Sequence, residues 1–271
     1  MIRVTILRYL VVTFFVLFLS MSSSVSAADT DSMKDQIAKD LQNPVAMIIS
    51  VPFQNNWDFG IGPDKAYRYT LNFQPVIPLS ISSKWNLIIR TILPVIHAES
   101  PAPGISSKSG LGDILQSFFF SPKETVLGGW IIGAGPVFLY PNGTDGLSAR
   151  KWGAGPTAVV LKQGKELTYG MLANHVWSFA GSGISDVSAT FLQPFISYQT
   201  KIHTIFSLNS ESTYDWKQKQ WTVPINLAVT QVLTAGGHPF SFALGGRYYP
   251  EKPSGGPDWG LRFTVTILFP E

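Results

Sequence analysis

The eleven residues from Trp259 to Phe269, WGLRFTVTILF, decide the fold. Trp259, Leu261, Phe263, Val265, Ile267 and Phe269 share one parity, with Arg262, Thr264 and Thr266 on the other. Successive side chains of a strand point to opposite faces, so this run is a strand with one apolar and one polar face. Its length reaches the 9 to 11 residues that a tilted membrane-crossing strand needs and exceeds the usual globular strand.

Working back from there, the same period recurs. Trp221, Val223, Ile225, Leu227 and Val229 oppose Gln220, Thr222, Asn226 and Thr230, and Tyr67, Tyr69, Leu71, Phe73 and Ile77 oppose Arg68, Thr70, Asn72 and Gln74. From Lys201 onward, Ile202, Phe206, Leu208 and Tyr214 face away from Lys201, His203, Ser207, Asn209, Glu211, Thr213 and Asp215. Twelve such segments fit between Val45 and Phe269.

Short and long connections alternate between them. Ser82-Ser83, Gly164-Lys165, Thr200-Lys201 and Ala235 to Gly237 are tight, and Ser121 to Val126 is looser. The other joints are longer and richer in Pro, Gly and Ser: Asp58 to Lys65, His97 to Gly110, Pro141 to Ala149, Ala180 to Ser185, Asp215 to Gln218 and Pro250 to Pro257. Short turns on one rim and long loops on the other mark a bacterial outer-membrane barrel. Aromatic residues gather at segment ends, as interfacial girdles do: Trp57, Trp85, Trp130, Tyr140, Trp152, Trp177, Tyr198 and Tyr248 among them. The expected fold is all-β: a closed antiparallel up-and-down transmembrane β-barrel of about 12 strands, both termini periplasmic. Prolines inside the segments, at Pro75, Pro78, Pro94, Pro136, Pro156, Pro194 and Pro224, predict bulges or kinks, because proline cannot donate to a ladder.

Residues 1–27 read as a signal peptide. Arg3 and Arg8 precede the apolar run Tyr9 to Leu19, and Val25-Ser26-Ala27 is a small-residue cleavage site. Residues 28–44 read as a short helix, with Met33, Ile37 and Leu41 on one face and Pro44 as its stop; it lies either in the periplasm or in the lumen as a plug. Residues 45–271 form the barrel domain.

Composition narrows the function. Cleavage of Arg3 and Arg8 takes the 20 basic residues to 18 against 17 acidic ones, which argues for no nucleic-acid partner. Charged residues make up 14%, against about 25% in soluble domains, so lipid is the expected partner of the apolar face. With no cysteine, disulfides, thiolate metal sites and a catalytic thiol are excluded.

The runs LQNPVAMIISVPFQNNWDFGIGP, LGDILQSFFFSPK, GGWIIGAGPVFLYP, KWGAGPTAVVLKQ, STYDWKQKQWTVPIN and GGPDWGLRFTVTILFP resemble a bacterial outer-membrane transporter-like family. That family is akin to the barrels of aromatic meta-cleavage (phenol degradation) gene clusters, and its members are often mislabelled neuromedin U. The resemblance spans nearly all of the mature chain. It implies an outer-membrane location and an uptake role, and carries neither a substrate nor a site motif. The closing alternation also resembles the signal read by the barrel-assembly machinery, although Pro270 and Glu271 follow the last aromatic.

The motifs for other chemistry are weak. Gly153, Gly155 and Ala158 fit a dinucleotide fingerprint, but Pro156 and Val159-Val160-Leu161 continue as strand where a helix is required. His175 lies near Asn174 and Ser178, and His203 near Ser207 and Asn209, yet no Gly-x-Ser-x-Gly elbow is present. Asn142-Gly143 is first a turn dipeptide. No catalytic residue, cofactor or metal site is therefore expected, and the chain reads as a non-enzyme. The candidate pore-lining residues are Arg68, Asn72, Gln74, Arg90, Asn209, Glu211, Asp215, Asn226, Arg247, Arg262 and Thr264. Opposed basic and acidic groups across a pore set up a transverse field that selects solutes by charge and shape. The expected function is passage of a small solute, aromatic or otherwise organic. A lipid-acting barrel enzyme (phospholipase or esterase-like) and a structural or adhesive surface barrel are the alternatives.

Overall fold

The computed structural model describes residues 27–235 and 238–270. The predicted signal segment, apart from Ala27, and residues 236 and 237 of one predicted turn lie outside them. Twelve antiparallel strands close into a barrel: β1 (Ile49–Ile61), β2 (Ala66–Phe73 and Val76–Ser80), β3 (Trp85–Ala98), β4 (Lys108–Leu111 and Ile114–Pro122), β5 (Trp130–Tyr140), β6 (Lys151–Gln163), β7 (Leu167–Gly181), β8 (Ser188–Gln199), β9 (Thr204–Ser210 and Ser212–Asp215), β10 (Gln220–Ala235), β11 (His238–Glu251) and β12 (Trp259–Phe269). Each pairs with its sequence neighbours, and β12 closes on β1 from Ile49↔Phe269 to Phe59↔Trp259. Closure leaves no free sheet edge, and with no free edge the backbone polar groups are satisfied within the wall.

The faces follow the period of two. Leu261, Phe263, Val229, Leu227, Ile225, Leu208 and Phe206 stand outside, while Asn226, Arg262 and Thr266 are buried inside. A barrel in water would not present this apolar belt; in a bilayer it meets hydrocarbon. At the loop end the belt is bounded by Phe59 stacked on Trp259 at 4.6 Å, Tyr140 against Trp152 at 5.5 Å and Tyr214 against Trp221 at 4.9 Å. Asn55 is a polar residue on the outer parity of β1. Its polar atoms are taken up by the Tyr69 hydroxyl, which donates to Oδ1 at 2.7 Å, and by the Phe263 carbonyl, which accepts from Nδ2 at 3.2 Å.

Prolines interrupt the ladder as their missing donors require. Pro75 separates the two pieces of β2, and a register shift brackets Pro224 between Val223 and Ile225. Pro194 lies in β8 at the two positions where β8 and β9 are not laddered, between the Leu192↔Ser212 and Phe195↔Asn209 pairs. The break in β9 falls at Glu211, whose N–H donates to the Pro224 carbonyl at 3.3 Å. Prolines on both neighbouring strands thus bracket this one acidic residue.

Three boundaries differ from the sequence reading. Strand β1 begins at Ile49 rather than Val45, and Val45 and Ile48 are buried instead. Asp58 belongs to β1 and pairs with Gly260, so the loop starts later than predicted. Lys201, Ile202 and His203 form a turn rather than strand, with His203 in the left-handed region at φ 58°.

Helix α1 (Ala27–Asp40) starts earlier than predicted and fits into the turn end of the barrel. Its Ile37 and Ala38 bury against Ile205, Val232 and Leu268 of the inner wall, with Ala46 and Ile48 completing the cluster. Polar side chains fasten it there. The Gln199 amide donates to Asp35 Oδ1 at 2.7 Å, the Gln163 amide to the Lys39 carbonyl at 2.8 Å, and Ser197 to Gln42 at 2.8 Å.

Candidate functional site

On the inner face, β1, β9, β11 and β12 bring a charged belt together. Arg262 grips Glu211 with both terminal nitrogens, at 2.9 and 2.7 Å, the fork-to-carboxylate geometry that makes strong pairs. Its Nε donates to Asn56 Oδ1 at 2.7 Å. Arg247 lies 3.2 Å from Asp58 and 3.6 Å from Glu211, and its Nε donates to Asn226 at 3.1 Å. Tyr249 donates its hydroxyl to Asp58 at 2.7 Å, and Asn226 donates to Asn209 at 2.8 Å. Gly260 makes room for this packing, because a Cβ there would sit 2.6 Å from the Asp58 carboxylate.

Arg90 on β3 differs from the other two arginines. Its one hydrogen bond is to a neutral group, Gln74 Oε1 at 2.9 Å, and among the described residues no carboxylate lies within ion-pair distance. Counting Arg90, three guanidinium groups face two carboxylates, Asp58 and Glu211, which leaves one net positive charge. Arginine stays charged in such a setting.

Two chambers meet at Arg90. One, of about 260 Å³, lies toward the loops under a largely apolar wall that includes Ile92, Leu115, Leu139, Leu172, Val176 and Phe191, with Ser117, Asn174 and Thr213 as polar points. The other, of about 320 Å³, lies toward the turns and has a mixed wall whose polar side chains include Gln54, Gln74, Asn209, Arg262 and Thr264. Asp40 at the end of α1 and the following residues Leu41 to Pro44 form part of its boundary.

The sequence-derived candidates divide accordingly. Gln74, Arg90, Asn209, Glu211, Asn226, Arg247, Arg262 and Thr264 all line the chambers or the belt. Arg68 and Asn72 lie on inward parity opposite Asp58 and Gln54, Arg68 being exposed at the loop end. Asp215 stands apart from the arginines: its carboxylate accepts from the Lys217 and Gln218 N–H groups at 2.8 and 3.0 Å and shapes the β9–β10 loop. Sequence reasoning missed Gln54, Asn56, Asp58 and Tyr249. The first three alternate with Phe53, Trp57 and Phe59, a signal masked by the outward Asn55 and by reading Asp58 as loop.

The histidines lie outside this site. His175 is outward-facing at the loop-end girdle, 4.0 Å from the Trp177 ring, with Nδ1 2.7 Å from Thr190 Oγ1 and Nε2 3.5 Å from Ser188 Oγ. Asn174, on the opposite parity, lines the loop-side chamber and cannot join it. His97 bonds Ser109 at 2.7 Å. Among the described residues no group of three His, Asp or Glu side chains could hold a metal ion.

No protein-family model matches the sequence, and no curated protein matches it. Solved structures do. An outer membrane channel from Pseudomonas putida F1 superposes with a TM-score of 0.63 at 15% identity, over 82% of this chain and 94% of its own. The NanC porin gives 0.52 at 10% identity, over 82% and 100%. Outer membrane phospholipase A from Escherichia coli gives 0.50 at 10% identity, over 88% and 98%. At these identities the likeness is one of fold: the chain has the architecture of outer-membrane barrels.

Proposed function

We propose that this protein is a narrow outer-membrane channel that passes small organic solutes and favours anions. The observation that carries the reading is the belt on the inner wall with one net positive charge, whose Arg90 borders a chamber on either side. Ions or solutes crossing there leave bulk water and meet a field that low-dielectric walls focus, so one uncompensated charge biases passage. A twelve-stranded barrel stands between eight-stranded barrels, which leave room for side chains or one ligand, and sixteen-stranded porins with open aqueous channels, which agrees with a narrow path.

The outer membrane as its site is supported by the lipid-suited belt, the girdles and the shared fold. Lipid and the barrel-assembly machinery are the partners this implies. Two of the similar structures are, by their names, a channel and a porin. Kinship with the barrels of phenol-degradation clusters is supported by the sequence runs quoted above, and an aromatic solute by the apolar wall of the loop-side chamber.

Reversal potentials of the purified protein in planar bilayers under a potassium chloride gradient test the reading. Discrete channels with a potential displaced toward chloride are expected. A membrane that stays insulating, or a cation preference, would overturn it.

A lipid-acting enzyme is the second reading, and one observation favours it: His175 and Ser188 meet on the outer face beside the headgroup girdle. A serine nucleophile needs a base whose other nitrogen is oriented by a third group. Here that group is Thr190, which also accepts from Trp216 Nε1 at 2.8 Å. Phospholipid hydrolysis that disappears in Ser188→Ala would establish this reading; no hydrolysis by the wild type would remove it.

A further inference from the structure

We propose that Arg90 and the apolar wall of the loop-side chamber form a binding site for a small monocarboxylate with an apolar body, a site where solute pauses between the two chambers. The inference rests on the channel reading and names the solute class.

Of the three belt arginines, Arg262 is saturated by Glu211 and Asn56, and Arg247 is shared among Asp58, Glu211 and Asn226. Arg90 spends one nitrogen on a carboxamide and borders both chambers. A guanidinium offers five donors in a planar fork that matches a carboxylate, so most of its donors are open to a ligand. Glu211 attracts Arg90 only from beyond ion-pair distance. The chamber on the loop side of the cation is mostly hydrocarbon, with Ile92, Leu115, Leu139, Leu172 and Phe191 around the polar points Ser117, Asn174 and Thr213. A bare inorganic anion would gain nothing from these walls. A molecule whose carboxylate reaches Arg90 while its body covers them would gain twice, through a charge-assisted bond and through burial of apolar surface. The chamber, at about 260 Å³, is just below the usual range for ligand pockets, which limits the body to a single ring or a short chain.

Benzoate, hexanoate and acetate added during single-channel recording in chloride test this. Benzoate and hexanoate should interrupt the wild-type current at concentrations at least about tenfold below acetate, because each buried methylene or ring edge adds to binding. Arg90→Gln should weaken the benzoate and hexanoate block by about tenfold or more, as loss of a charged hydrogen-bond donor does, with Arg90→Lys between the two. Ala189→Phe, which fills the apolar chamber and leaves Arg90 in place, should abolish the advantage of benzoate and hexanoate while acetate block persists. Heat-dependent gel migration checks that each variant folds, and Ala189→Phe decides the matter if Arg90→Gln does not. Equal potency of the three acids on wild type, or unchanged benzoate block in Arg90→Gln, would overturn the site while leaving an anion channel standing. If wild type carries no current, the channel reading fails; fluorine NMR of 4-fluorobenzoate with the detergent-solubilised protein then decides the site separately, line broadening lost in Arg90→Gln supporting it and no broadening refuting it.

Discussion

The two halves of this barrel are built on different rules. Strands β9 to β12 with β1 and β2 alternate apolar outside with polar inside and hold the charged belt. Strands β3 to β8 carry large apolar residues on both faces: Phe120, Val160 and Met171 are exposed outward, while Ile88, Phe119, Val137, Val159, Leu161 and Leu172 are buried inward. The inward set is sealed by Val45, from the segment after α1, together with Phe191 and Phe195. A wall that is apolar inside needs something dry to pack on, and the N-terminal segment supplies it at the turn end. Toward the loops the apolar chamber opens against the same wall. The lumen is therefore chemically sided, with charge on one wall and hydrocarbon on the other.

Arginine scanning is the strongest way to break this comparison. In β12, Val265→Arg on the lipid side should cost roughly 2 to 4 kcal/mol and Thr264→Arg on the lumen side far less. In β6 both parities should fail, with Val159→Arg at least as damaging as Val160→Arg because it places an unpaired charge in a sealed cluster. Urea unfolding in lipid vesicles measures both pairs. Tolerance of Val159→Arg would show that the two halves obey one rule.

Next in size is removal of the shared carboxylate. Glu211→Gln strands Arg262 without its fork partner and should cost about 3 kcal/mol, as expected when a buried pair loses one member. It should also raise chloride preference in the same bilayer recordings. Stability unchanged to within experimental error would mean that water already screens the belt.

Replacing Arg247 and Arg262 together by Gln should move the reversal potential toward cations, since Asp58 and Glu211 then dominate the belt. Heat resistance should fall in the same variant, because both carboxylates lose their partners. A potential and a melting temperature that both stay put would place these arginines outside the conducting path.

The smallest effect belongs to the loops. Lys252 and Lys65 hold the Asp258 carboxyl below its ordinary range. A depressed folded-state value contributes stability that is complete above the unfolded value, about pH 4, and is lost as pH falls through the lowered value. Protease nicking at residues 252–258 should therefore increase in strong acid, and Asp258→Asn should show the increased rate already at neutral pH. The pair is exposed, so the global unfolding midpoint should move little.

How much was legible beforehand differs between the same two halves. From Gln220 to Thr230 in β10 and from Leu261 to Ile267 in β12 the faces could be read from the period of two, because lipid outside and a polar lumen inside demand opposite residues at adjacent positions. The inward Val232 and Leu268, which pack on α1, break that rule. GGWIIGAGPVFLYP and KWGAGPTAVVLKQ give no such contrast, and periodicity alone cannot say which of Ile131, Ile132, Val159 and Val160 points inward. Arg68, Arg247 and Arg262 were legible as inward residues. Their partners are only half so: Glu211 shares the polar parity, but the period does not carry through Asp58 into the strand, and Asp215, on the same parity, caps a loop.

By itself the sequence determined the barrel, its short and long rims, the lipid face of the alternating strands and the presence of inward arginines. These are local consequences of a side-chain period of two and of turn chemistry, and they need only neighbouring residues. The tertiary structure alone decided that α1 enters the turn end, that Arg262 closes on Glu211 from 51 positions away, and that Arg90 is left without a carboxylate between two chambers. Those outcomes depend on closing the ring from β12 to β1, which sets residues from distant strands at one height across the lumen, and no local pattern in the chain encodes that meeting.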